Sequence, residues 1–87
     1  MRYFVYLLIS TNYDENLSYV GYTNNLKNRL LKHNSSKGAK FTRGRKWKII
    51  YSKSYPNKSN AISEEYKLKK NYLLRKKIKQ KFLNERK

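Results

Sequence analysis

The 87-residue sequence predicts an α+β domain: a small three-stranded antiparallel sheet with flanking helices, in the order ββαβαα. Three observations predict it. Residues 3–9 form an aromatic and branched run whose two alternating faces are both apolar, the pattern of a strand covered on both sides. Two further short runs, 17–22 and 47–51, carry the aromatic and β-branched content of strands. Between and after them, apolar residues recur three and four apart, as on one face of a helix.

The elements follow in order. Residues 3–9 belong at the centre of the sheet, because only a central strand is covered on both faces. Residues 11–16 are polar and rich in turn formers, so 3–9 and 17–22 pair as an antiparallel hairpin. Gly21 falls near the end of the second strand, where a missing side chain admits a close approach by backbone or ligand. Leu26, Leu30 and Leu31 give the 24–34 segment an amphipathic helix, with Thr23 or Asn24 as its N-cap. Residues 35–44 read as a basic loop, and the third strand, from Trp47, is ended by Tyr55-Pro56. Ser59 or Asn60 caps a second helix running to about Lys70, and a third, from about Tyr72 to Phe82, lines up Leu74, Ile78 and Phe82. The whole chain, 1–87, reads as one domain with a basic C-terminal helix or tail from about residue 75, where like charges and a thin apolar stripe favour disorder.

Charge sets the class of partner. Twenty-two Lys and Arg against five Asp and Glu give a formal charge of +17, a self-repulsion that a polyanion, above all nucleic acid, relieves. An anionic membrane surface or ribosomal RNA is the other kind of partner that charge alone allows. The absence of cysteine excludes disulfides, zinc-thiolate sites and thiol nucleophiles, and the expected compartment is the cytoplasm. No run approaches the roughly 20 apolar residues that cross a bilayer, so no membrane association is expected.

Hard-metal chemistry needs oxygen ligands, and the choice is narrow. Asp14 and Glu15 lie in the expected hairpin turn and Glu85 near the end, where solvated charge is the ordinary state. Glu64 faces Asn60 and Lys67, whereas Glu65 has Ala61, Ile62 and Leu68 as its helical neighbours and points along the apolar stripe, as either a metal ligand or a carboxylate paired with Lys69. Arg29 and His33, the single histidine, share one helix face at a spacing of four. An arginine fork suits charge developing on phosphate oxygens and an imidazole can relay a proton; the plainer readings are a solvated cation and a helix-end cap. Tyr6 and Tyr19, on the two paired strands, could face one concave surface, where abundant cations would favour a phenolate, or could simply pack. Tyr51 and Trp47 read as core. The 38–45 loop, with Lys40, Thr42, Arg43 and Arg45 and with Lys37 beside it, suits contact with a phosphate backbone, as does Lys69 on the second helix.

Taken together, these positions resemble the GIY-YIG nuclease family over about residues 3–70. Phe4-Val5-Tyr6 stands at the first motif and Tyr19-Val20-Gly21 at the second; Arg29 follows Tyr19 by ten residues, His33 lies one turn on, and Glu65 falls in the helix after the third strand. The 38–45 loop and Glu65-Tyr66 with Lys69 are similar to the small stand-alone bacterial branch, which is related to the nuclease module of excision-repair incision subunits. Phe4 replaces the first glycine of the family name, and neither Asn71 nor Asn84 is assigned the role of the later asparagine that some members use. The resemblance implies a metal-dependent endonuclease, acting on DNA, branched or single-stranded forms included, in repair or recombination, with RNA as a further substrate not set aside. It implies one divalent cation, Mg or Mn, held by Glu65. Tyr6 would help to activate water, Tyr19 would hydrogen-bond in the same pocket, Arg29 would stabilise developing charge, and His33 would orient or relay a proton. The expected oligomeric state is a monomer or weak dimer. The alternative is a catalytically silent nucleic-acid-binding module on the same fold.

Overall fold

A computed structural model of the chain describes residues 2–12 and 16–85. The strands are β1 (Tyr3–Ser10), β2 (Leu17–Thr23) and β3 (Lys48–Tyr55), and the helices α1 (Leu26–Asn34), α2 (Lys58–Lys70) and α3 (Tyr72–Glu85). The order is thus ββαβαα, with a short 3-10 turn at Lys40–Thr42. The sheet is antiparallel in the order β2-β1-β3, so the strand with two apolar faces is the central one. The expected hairpin turn, with Asp14 and Glu15, lies outside the described residues.

Alternation along β1 builds two different cores. Val5 and Leu7 meet Val20 together with Ala61 and Leu68 of α2, and Ile78 of α3 packs against this layer. Tyr6 and Leu8 point the other way, against Trp47, Leu26 and Leu30. A bulge in β3 lets Leu7 pair with Tyr51 and Leu8 with Ile49, so that Ile50 and Tyr51 serve the first layer and Ile49 the second.

The caps fall one to three residues from the expected positions. Asn25 caps α1, its side chain accepting from the Asn28 amide, while Thr23 accepts from Asn25. Asn57 caps α2 by accepting from the Asn60 amide at 2.8 Å. Directly after a strand, Asn25 and Asn57 already have the extended backbone a cap needs. Leu31 is 59% exposed, because Leu26, Leu30 and His33 take the side of α1 that faces the sheet. Past residue 75 the chain continues as helix, α3 packing against α2 and β3. Asn71 joins the two helices: it closes α2, and its side chain accepts from the Leu74 amide.

Candidate active site

The site begins with the register of the hairpin. Tyr6 pairs with Gly21 and Leu8 with Tyr19, so the two phenols are diagonal neighbours on one face of the sheet. A β-carbon on Gly21 would overlap the Tyr6 hydroxyl, lie 2.6 Å from Cζ and stand 3.1 Å from the Tyr19 ring. Glycine is therefore what lets the Tyr6 ring lie across β2.

Helix α1 brings Arg29 and His33 onto these rings. The Tyr6 hydroxyl is 2.9 Å from His33 Nε2, and Arg29 Nε donates to the same oxygen at 3.4 Å, a long and weak bond. Tyr19 packs on the imidazole with ring centres 5.2 Å apart, and it also stacks with Phe41 at 6.2 Å. His33 is fully buried, its other nitrogen, Nδ1, 2.9 Å from Thr42 Oγ1. Gly38 lies flat against the ring, where a β-carbon would come within 2.5 Å of Nδ1. The 3-10 turn holding Thr42 is itself fastened by the Trp47 indole, which donates to the Thr42 carbonyl at 2.9 Å. Asn34 completes the attachment, its side-chain amide bonding both the N–H and the C=O of Trp47.

Burial governs the electrostatics. It pushes the Tyr6 phenol above its ordinary value; Arg29 beside it pulls back, and the charges of Tyr19 and Glu65 add to the rise. The cations thus do not make Tyr6 a resting phenolate, as their abundance suggested, because desolvation outweighs them. Burial, and then the Arg29 charge, lower His33 to about 4, so the imidazole is neutral at pH 7.

Glu65 reaches the site from a different direction. Helix α2 packs on the opposite face of the sheet, and Glu65, its side chain 15% exposed, is held by Lys69 at 3.2 Å. The pairing with Lys69 expected from their spacing of four is thus present. Lys69 lines a depression of about 240 Å³ together with Tyr19, Phe41 and Arg75 at the edge strand β2. The influence of Glu65 on Tyr6 places the carboxylate within electrostatic range of that phenol. Among the described residues no three His, Cys, Asp or Glu side chains converge on one point. A single carboxylate nevertheless fits a magnesium-like ion, which keeps several waters and takes its remaining oxygens from a substrate phosphate.

Of the residues expected to touch a phosphate backbone, Lys37, Lys40 and Arg43 are exposed on the loop and Arg45 is half-buried. Lys69 is also exposed, although engaged with Glu65. Thr42 is a correction. It is 0% exposed, with its hydroxyl spent on His33 and the Ala39 carbonyl, so it cannot contact a backbone phosphate. Two residues of the site had no signal in the sequence. Phe41 reads there as one aromatic ring in a loop, and Arg75 as one cation in a basic helix; Arg75 in fact donates to the Leu68 and Lys69 carbonyls at the end of α2 and so faces the depression.

A family model described as "GIY-YIG catalytic domain" matches residues 2–79. The UPF0213 protein OB0043 of Oceanobacillus iheyensis is 48% identical over 69 residues, covering 78% of this chain and 77% of the relative. The UPF0213 protein CPE1444 of Clostridium perfringens is 47% identical over 66 residues, covering 75% and 70%. Among solved structures, the solution NMR structure of the UPF0213 protein BH0048 from Bacillus halodurans is 35% identical, covers 88% of this chain and 80% of that one, and superposes with a TM-score of 0.49. No helix among the described residues is long and apolar enough to cross a membrane.

Proposed function

Because the chain belongs to the GIY-YIG catalytic-domain family, we propose that it is a metal-dependent endonuclease hydrolysing the phosphodiester backbone of DNA. One observation carries the reading: Arg29, Tyr6 and His33 form a continuous hydrogen-bonded chain on the face of the sheet that also presents Tyr19. Packing alone has no use for a buried phenol, an imidazole and a guanidinium in series. Proton transfer beside an anion does.

The steps follow from the order of the groups. An approaching phosphodiester draws Arg29 away from its 3.4 Å contact, since a bidentate bond to phosphate oxygens is stronger than one long bond to a phenol. This bares the Tyr6 hydroxyl, which is otherwise 1% exposed with its ring. Tyr6 then takes a proton from the attacking water while passing its own to His33 Nε2, so that no free phenolate has to accumulate. Neutralising Arg29 also removes a charge that opposes an imidazolium at His33. Tyr19 fixes the position of the imidazole and the edge of the pocket. Glu65 would hold the divalent cation, Mg or Mn, which when bound supplies polarisation of the phosphate and charge for the departing oxygen. Lys37, Lys40, Arg43 and Arg45 would position the DNA backbone, with Lys69 released to it from Glu65.

The test is cleavage of a panel of flap, branched, single-stranded and duplex DNAs with Mg or Mn, comparing the natural chain with Glu65→Ala and Arg29→Ala. Each variant should lose at least about 100-fold in rate. Retained DNA binding that weakens steeply with salt should accompany that loss. Equal digestion by all three proteins would reveal a contaminant. Binding without cutting by the natural chain would establish a silent module instead.

A further inference from the structure

The proton chain does not end at His33. Its last member, Thr42, decides which way the chain conducts. Thr42 Oγ1 lies 2.8 Å from the Ala39 carbonyl oxygen and 2.9 Å from His33 Nδ1. A carbonyl only accepts, and two oxygens at 2.8 Å with no proton between them repel, so the single hydroxyl hydrogen belongs to Ala39. Towards His33 the hydroxyl can therefore only accept, which requires a hydrogen on Nδ1 and leaves Nε2 bare.

The other end of the chain gives the same answer independently. The Tyr6 side chain is buried, and its hydroxyl hydrogen needs an acceptor. Its two hydrogen-bonding neighbours are Arg29, which only donates, and His33 Nε2. Only a bare Nε2 can take that hydrogen. Thr42, its hydroxyl hydrogen held by the Ala39 carbonyl, and Tyr6 thus both call for the proton on Nδ1, the form that a free neutral histidine in water does not favour.

We propose that Thr42 is a positioning residue that fixes the proton of His33 on Nδ1, so that Tyr6 donates to His33 and its own lone pairs stay turned to the attacking water. With the opposite form Nε2–H would donate into the Tyr6 oxygen, and the phenol would have no base behind it. The inference rests on the nuclease reading for its consequence in catalysis, but not for its structural content. It also explains a threonine among cations: its neighbours Lys40 and Arg43 face outward, while Thr42 faces the histidine.

The experiment uses the fact that the chain has one histidine. Long-range 1H–15N correlation near pH 7 on the full chain assigns the protonated ring nitrogen without ambiguity. The natural protein should show Nδ1–H. Thr42→Val, which keeps shape and loses the hydroxyl, should shift the ring towards Nε2–H and slow Mg-dependent DNA cleavage by at least about 100-fold, while Thr42→Ser should restore both. An Nε2–H ring in the natural protein overturns the proposal with no variant needed, even if Thr42→Val fails to fold. An unchanged tautomer in a folded Thr42→Val overturns it as well. If the tautomer responds as expected while no protein cuts DNA, the positioning role stands and the nuclease reading falls.

Discussion

The two faces of one strand differ in what they bury. On the α2 side of β1, Val5 and Leu7 meet Val20, Ala61 and Leu68, and none of these five buried side chains has a polar atom to pair. On the α1 side, Tyr6 and Leu8 share the interior with His33 and Thr42, both 0% exposed. Polar groups are expensive to bury unless each is paired, so the second face is held by a defined sequence of bonds where the first is held by area. A layer held by area loses stability when volume is removed. A layer held by bonds loses in addition when a single donor or acceptor is removed at constant volume. The contrast predicts that damage to one face should appear as lost stability and damage to the other as lost chemistry.

The largest effect should come from Tyr6→Phe. It removes one oxygen and little volume, so the fold should survive with a loss of about 1–3 kcal/mol from the unpaired Nε2 of His33. Cleavage per folded molecule should fall by about 10²–10⁴, the worth of a positioned acid-base group. Urea melts alongside single-turnover cleavage measure both. An undiminished rate would erase the distinction between the faces. Leu7→Ala is the counterpart: Leu7 is 0% exposed, and truncation should cost about 2–5 kcal/mol in the same melts. Its cleavage rate, measured where the variant is still folded, should be unchanged, since no member of the proton chain touches the cavity left behind.

Acid should attack the polar face first. His33 titrates at about 4 in the folded chain and near 6.5 when unfolded, so between these values the unfolded chain binds the extra proton. The contribution of His33 is therefore complete well above pH 6.5 and is lost as the pH drops towards 4, by roughly 3 kcal/mol at the end of the window. Denaturant titrations from pH 8 to 4 should show the slope in the natural chain and a shallower one in His33→Gln. Parallel slopes would mean that the imidazole is not held neutral.

Much of this could be read from residue pattern, and the part that could not has a physical reason. The central position of β1 follows from two apolar faces on one strand, whereas the shared face of Tyr6 and Tyr19, open from the sequence as one possibility, is set by the register that pairs Tyr6 with Gly21. Arg29 and His33 follow from helical spacing. Thr42 does not, because a hydroxyl flanked by Lys40, Arg43 and Arg45 has the composition of a phosphate-binding loop whichever way it turns. What turns it inward is contact across the fold, from Gly38 lying on the imidazole and from the Trp47 indole, and no local pattern encodes either. Arg75 is hidden for the same reason: its partners are carbonyls at the end of a neighbouring helix, and carbonyls leave no mark in a sequence.

Trp47 offers the finest cut between the two modes of support, because it belongs to both. Its ring, 3% exposed, fills the layer beneath Tyr6 and Leu8, while its indole N–H holds the Thr42 carbonyl. Trp47→Phe keeps most of the area and deletes that one donor, so it should cost only about 1–3 kcal/mol. If the polar face works through fixed bonds, loosening the turn that carries Thr42 should also let the His33 proton redistribute between its nitrogens. Cleavage would then drop by less than in Tyr6→Phe, because the phenol and imidazole remain and only their orientation is less strictly kept. A Trp47→Phe protein with weakened stability but an unaltered ring proton would place the indole with Leu7, as a filler of space. One whose ring proton moves would show that the hydrogen-bonded face extends from Arg29 as far as the residue just before the third strand.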